Sequence, residues 1–179
     1  MIMKFRFSCI IIIVAFLAYS CQVPKSYPPE PAIRFLKLYQ TDSTDALLNK
    51  VKRHELYFEV IDGDGNVGLN SDDTMGKFHP DSIFYHNLFL TLYQKVNGNY
   101  LKIDIGDDLN FRTPYKELIG QNKYLKAEVK VVIEIPEQFF NYDTVMYEFY
   151  MYDRTFIQSN IEFTPDIPVN FTGIIKDSI

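Results

Sequence analysis

Two sets of residues in this chain have the types and spacing for chemistry. The first is Asp62, Asp64 and Asn66, alternating with Gly63 and Gly65 in a run that ends at Val67-Gly68. In a tight loop, alternate side chains point the same way, so these three short oxygen-bearing groups can converge on one cation. Hard oxygen donors suit Ca2+, which takes six to eight of them. Gly68 adds a backbone carbonyl, and Asp72 or Asp73 a later carboxylate. A plain solvated turn also accounts for the run, because Asp, Asn and Gly are the residues turns use. Gly63, Gly65 and Gly68 satisfy G-x-G-x-x-G as well. A dinucleotide site requires a helix to follow, however, and this run leads into a polar, glycine-containing stretch closed by Pro80.

The second set is a single residue, Cys21. Residues 1–20 hold two charges, Lys4 and Arg6, followed by the apolar run 9–18. That run has the length of a signal-peptide core and falls short of the ~20 residues that cross a bilayer. Leu17-Ala18-Tyr19-Ser20-Cys21 resembles a bacterial lipobox, in which cleavage before the cysteine exposes a thiol that then carries lipid. The cysteine count agrees. Cleavage removes Cys9, the only other cysteine, so Cys21 has no internal partner, and a lone thiol in an exported chain calls for an explanation. Cleavage also leaves 16 basic residues against 23 acidic ones, a net charge of −7. Such a body is repelled by anionic membrane surfaces and lacks the basic face that nucleic acid requires. Residues 22–31 contain four of the nine prolines. They read as an extended spacer reaching ~30 Å at ~3.1 Å per residue.

Little else in the chain suggests catalysis. His54-Glu55 opens a zincin-like pair, but position 58 is Phe. His79 and His86 read as surface or edge residues. Neither G-x-S-x-G nor S-x-x-K occurs. Asp104, Asp107 and Asp108 read as solvated loop charge, with a second cation site as the alternative. The partial likeness of residues 62–73 to an EF-hand loop stops at Val67, which stands at the sixth position where Gly is needed.

The elements that must position these residues read as strands. In residues 125–135, Leu125, Ala127, Val129, Val131, Ile133 and Ile135 fall on one face, and Lys126, Glu128, Lys130, Val132 and Glu134 on the other. Further strands are expected over 33–39, 55–61, 83–95, 100–105, 144–152 and 167–175, with a hairpin at Asn97-Gly98-Asn99. Short helices are expected at 43–49 and at 113–119. The expected fold is all-β: an antiparallel immunoglobulin-like sandwich of about seven strands over residues 32–179, behind a signal peptide (1–20) and a lipidated tether (21–31). In that strand order the 62–81 loop lies at the same end as Asp153-Arg154. Asp153 would then complete an ion set of Asp62, Asp64, Asn66, Gly68, Asp73 and Asp153, or Arg154 would neutralise the aspartates without a metal.

Cys21 behind a signal, the strand end IDGDGNVGLNSDDT and the segment YEFYMYDRTFIQSNIEFTPDI together resemble small lipoproteins of Bacteroidota with an immunoglobulin- or fibronectin-like domain. The resemblance implies that fold and a place in the cell envelope, lipid-anchored at the outer membrane on either face. It leaves the function open. The expectation is a non-enzymatic structural or interaction module with a Ca2+-stabilised loop, held to the membrane by its N-terminal lipid. The alternative is an accessory that binds glycan or peptide for an outer-membrane uptake system.

Overall fold

The computed structural model describes residues 26–106, 108–119 and 123–177. The signal sequence, residues 21–25 of the tether including Cys21, and Asp107 lie outside them. The described residues form an antiparallel β-sandwich. One sheet contains β1 (Ala32–Thr44), β2 (Lys50–Asp62), β6 (Leu125–Pro136) and β10 (Gly173–Lys176), in the order β10-β1-β2-β6. The other is built on β3 (Leu88–Val96) and β7 (Thr144–Met151). Here β4 (Asn99–Lys102) and β5 (Leu109–Phe111) pair with β3, while β8 (Glu162–Phe163) and β9 (Ile167–Pro168) pair with β7.

Period-two patterning produces the core. From β2 come Leu56, Phe58 and Val60; from β6, Val131, Ile133 and Ile135; from β3, Leu88, Leu90 and Leu92; and from β7, Val145, Tyr147, Phe149 and Met151. In β1 the parity changes partway. Ile33 and Phe35 are buried before the register shift between Phe35 and Lys37, and Leu38 and Gln40 after it. The single extra residue turns the second half of the strand over, so both halves face the core. At the expected hairpin, Asn97 and Gly98 both adopt positive φ, as the two-residue turn demands.

Four expectations are corrected. Thr44 ends β1, and in place of a helix at 43–49 the Asp45 carboxylate accepts from the N–H groups of Leu47 and Asn49 in a tight turn. Residues 113–119 are not helical. The Asn87 side chain binds both the backbone N–H and the hydroxyl of Thr113, and Leu69 exchanges backbone hydrogen bonds with Thr113 and Tyr115. The strand expected from residue 83 begins at Leu88, after a 3-10 turn at Ile83–Tyr85 whose first residues are capped by Ser82. Finally, residues 167–175 form two strands in different sheets: β9 pairs with β7, and β10 pairs with β1.

Candidate functional site

Asp62 is the last residue of β2 and is 0% exposed. Its Oδ2 accepts from the backbone N–H groups of Asn66 (2.7 Å) and Val67 (3.1 Å), which closes the loop. Its Oδ1 is buried with no hydrogen-bond partner among the described residues. The Asn66 amide donates to Asp64 Oδ2 (2.9 Å), and Asn66 Oδ1 is likewise buried without a partner. Burial, together with the adjacent Asp64 carboxylate, pushes the Asp62 carboxyl up to about 6. The loop thus gathers three oxygen-bearing side chains and leaves two acceptor oxygens without a donor.

The other expected ligands have different partners. Gly68 directs its carbonyl toward Arg154 (3.5 Å). Asp73 is clasped by the Arg154 guanidinium on both oxygens (2.5 and 3.1 Å), which holds its carboxyl below the usual range, and it also accepts from the Asn70 N–H. Asp153 is buried and spends its carboxylate on its own turn, accepting from Thr155 N, Thr155 Oγ1 and Ile157 N. Among the described residues, no three His, Cys, Asp or Glu side chains form a metal-sized group. The six-member set therefore narrows to Asp62, Asp64 and Asn66.

The expected meeting of loop and strand end does occur. Val67 bridges Asp153, and the Arg154 N–H donates to Asn66 O. Arg154 plays the neutralising part for Asp73, with its guanidinium over the Tyr115 ring. Arg112, not foreseen, pins the same loop by donating to the carbonyls of Asn70, Asp73 and Tyr85. The Ser159-Asn160 pair is structural. Ser159 Oγ accepts from Met151 N, and the Asn160 amide binds both the N–H and the C=O of Ile33, acting as a one-residue strand partner for the start of β1.

A second polar cluster lies farther along the sandwich and was also missed. His54 is 0% exposed, between the Tyr147 hydroxyl at Nδ1 (2.7 Å) and Gln40 Oε1 at Nε2 (2.9 Å). Gln40 Nε2 faces the carbonyls of Pro168, Val169 and Phe171, so Oε1 is its accepting side. That makes His54 Nε2 the protonated nitrogen and leaves Nδ1 to accept from Tyr147. Burial first, then Lys52, lowers the His54 pKa to about 4, and burial raises that of Tyr147. The signal was present: His54 is in phase with Leu56, Phe58 and Val60 on the buried face of β2. His79 is exposed and His86 partly so, as expected.

Comparison with protein-family models, with curated proteins and with solved structures finds no match to this chain.

Proposed function

We propose that this chain is an envelope-anchored, non-enzymatic β-sandwich acting as a structural or interaction module, with Ca2+ closing the loop at Asp62, Asp64 and Asn66. The observation that carries the ion is the pair of buried acceptors, Asp62 Oδ1 and Asn66 Oδ1, that have no donor. Leaving such a group without a partner costs about 1–3 kcal/mol, more when it is charged. An ionised carboxylate and an amide oxygen can only accept, so a hard cation answers both and offsets the repulsion between Asp62 and Asp64. Asp64 is exposed, which leaves room for water to complete the coordination. The envelope placement rests on the signal sequence and Cys21.

EDTA is expected to lower the melting temperature and Ca2+ to restore it. At a hundredfold excess over Kd the shift should be about 5–10 °C, and it should vanish in Asp64→Ala. No shift at millimolar Ca2+ leaves the plain turn. Cys21→Ala should abolish incorporation of labelled palmitate and partitioning into the detergent phase.

The glycan-binding alternative has one observation in its favour. Phe78, Phe156, Phe84, Tyr152, Phe89 and Tyr150 form a chain of half-buried rings with successive centroids 4.5 to 5.7 Å apart. Phe89 and Tyr150 lie on the outer face of the second sheet, stacked at 11°. Flat aromatic surface of this kind stacks against the C–H faces of sugars. Titration with envelope polysaccharide fragments, repeated with Tyr150→Ala, tests it; identical flat titrations for both proteins remove it.

A further inference from the structure

We propose that the cation at Asp62, Asp64 and Asn66 governs the docking of the tether, so that ion occupancy fixes how the domain leaves its anchor. The proposal rests on the Ca2+ reading above and adds a consequence to it.

Gly63 lies between two of the three ligand residues, and it is the residue that holds the tether. Its N–H donates to Pro28 O at 2.9 Å. Its Cα packs so tightly on the backbone carbonyls of Tyr27 and Pro28 that even a methyl group would overlap both. Only glycine permits that approach. The Tyr27 ring meets Tyr124 at 4.9 Å, and Tyr124 precedes Leu125, the residue paired with Asp62 across the sheet. Downstream, the Asn160 amide clasps Ile33. The chain entering β1 is therefore gripped at Ile33 by side-chain hydrogen bonds that need no ion. It is gripped at Pro28 by a peptide suspended between two carboxylates.

Those carboxylates decide where that peptide sits. Without a cation, Asp62 and Asp64 repel across Gly63, and Asp62 Oδ1 lacks a partner. Both strains are relieved if the 62–64 backbone opens, which withdraws the Gly63 N–H from Pro28. A bound cation draws the two side chains together and holds the N–H in place. By linkage, a docked tether must in turn raise cation affinity.

The test uses the full lipidated chain in detergent micelles. Amide hydrogen exchange at Gly63 and over residues 26–30 is followed with Ca2+ and with EDTA, alongside melting curves and Ca2+ titrations. Ca2+ is expected to slow exchange at Gly63 and over 26–30 by about tenfold. Tyr27→Ala, which removes the ring contact without touching a ligand, is expected to weaken Ca2+ binding by about fivefold. A Ca2+-dependent melting shift with unchanged exchange over 26–30 and wild-type Ca2+ affinity in Tyr27→Ala overturns the coupling and leaves the ion site standing. Absence of any melting shift overturns the ion site and the coupling with it.

Discussion

His54 and Asp62 are eight residues apart on the same strand, and both side chains are fully buried. Around His54 the donors and acceptors match: Tyr147 donates to the ring, the ring donates to Gln40, and Gln40 donates to the C-terminal backbone. Around Asp62 they do not, because acceptors meet acceptors and two oxygens have no partner. A satisfied buried network stiffens a fold, whereas an unpaired buried acceptor costs free energy. The first cluster binds the sheets to each other and to the C-terminal segment. The second leaves two buried acceptors unpaired among the described residues.

Substitutions that remove a member should therefore act with opposite sign in the two clusters. The largest loss is expected for Gln40→Leu, which strips His54 Nε2 and the carbonyls of Pro168, Val169 and Phe171 of their partner; urea denaturation should show about 3–4 kcal/mol less stability. Acid should reproduce much of that. The folded-state pKa of His54 lies below its ordinary 6.5, so its contribution is complete above pH 6.5 and is lost as pH falls through about 4. The loss amounts to roughly 3 kcal/mol between those limits and should be absent in His54→Gln, as measured by urea midpoints at pH 7.5 and pH 4. Arg154→Met removes the cation that answers Asp73 and should cost about 1–2 kcal/mol by the same assay. The smallest effect carries the opposite sign. Asp62→Asn keeps an acceptor for the Asn66 and Val67 amides and turns an NH2 toward Asp64. In EDTA it should melt about 1–3 °C above wild type, while its response to Ca2+ disappears. A loss of stability in EDTA would mean that Asp62 is as well satisfied as His54.

Strands with one wet face were legible from the sequence. Residues 125–135 alternate, with Val132 the one apolar residue on the wet face, and form β6 over nearly the same span. Elements fixed by distant partners were not. Nothing local to 113–119 reveals that Asn87 and Leu69 hold its start extended. The run 167–175 is rich in β-formers, yet it crosses from one sheet to the other between Pro168 and Gly173. The site divides in the same way. Asp62, Asp64 and Asn66 are close because their spacing is local, and the contacts between them are hydrogen bonds from the Asn66 N–H and NH2 groups to the two carboxylates. The partners of Asp73 and Asp153 depend on how the chain returns at residues 153–157. Arg154 was foreseen as one of two outcomes, but Arg112 was not, since its three carbonyl partners lie on segments far away in sequence. His54 was weighed only as half of a zincin-like pair, because the expected strand began one residue after it and its place on the buried face of β2 was not read.

The grip on Pro28 and Ile33 also has a mechanical meaning. β1 lies inside its sheet, antiparallel to β2 along twelve residue pairs and to β10 on its other side. Under the proposed anchoring, a pull delivered through residues 26–31, against a load held on β6 at Pro136, which pairs with Val51 at the far end of β2, would run along the strand axis. Force in that direction shears every rung of the ladder together, whereas a pull across the strand would open the rungs one after another. The entry point of the tether thus selects the stronger loading geometry, and the Gly63 contact would be the first element to feel the tension.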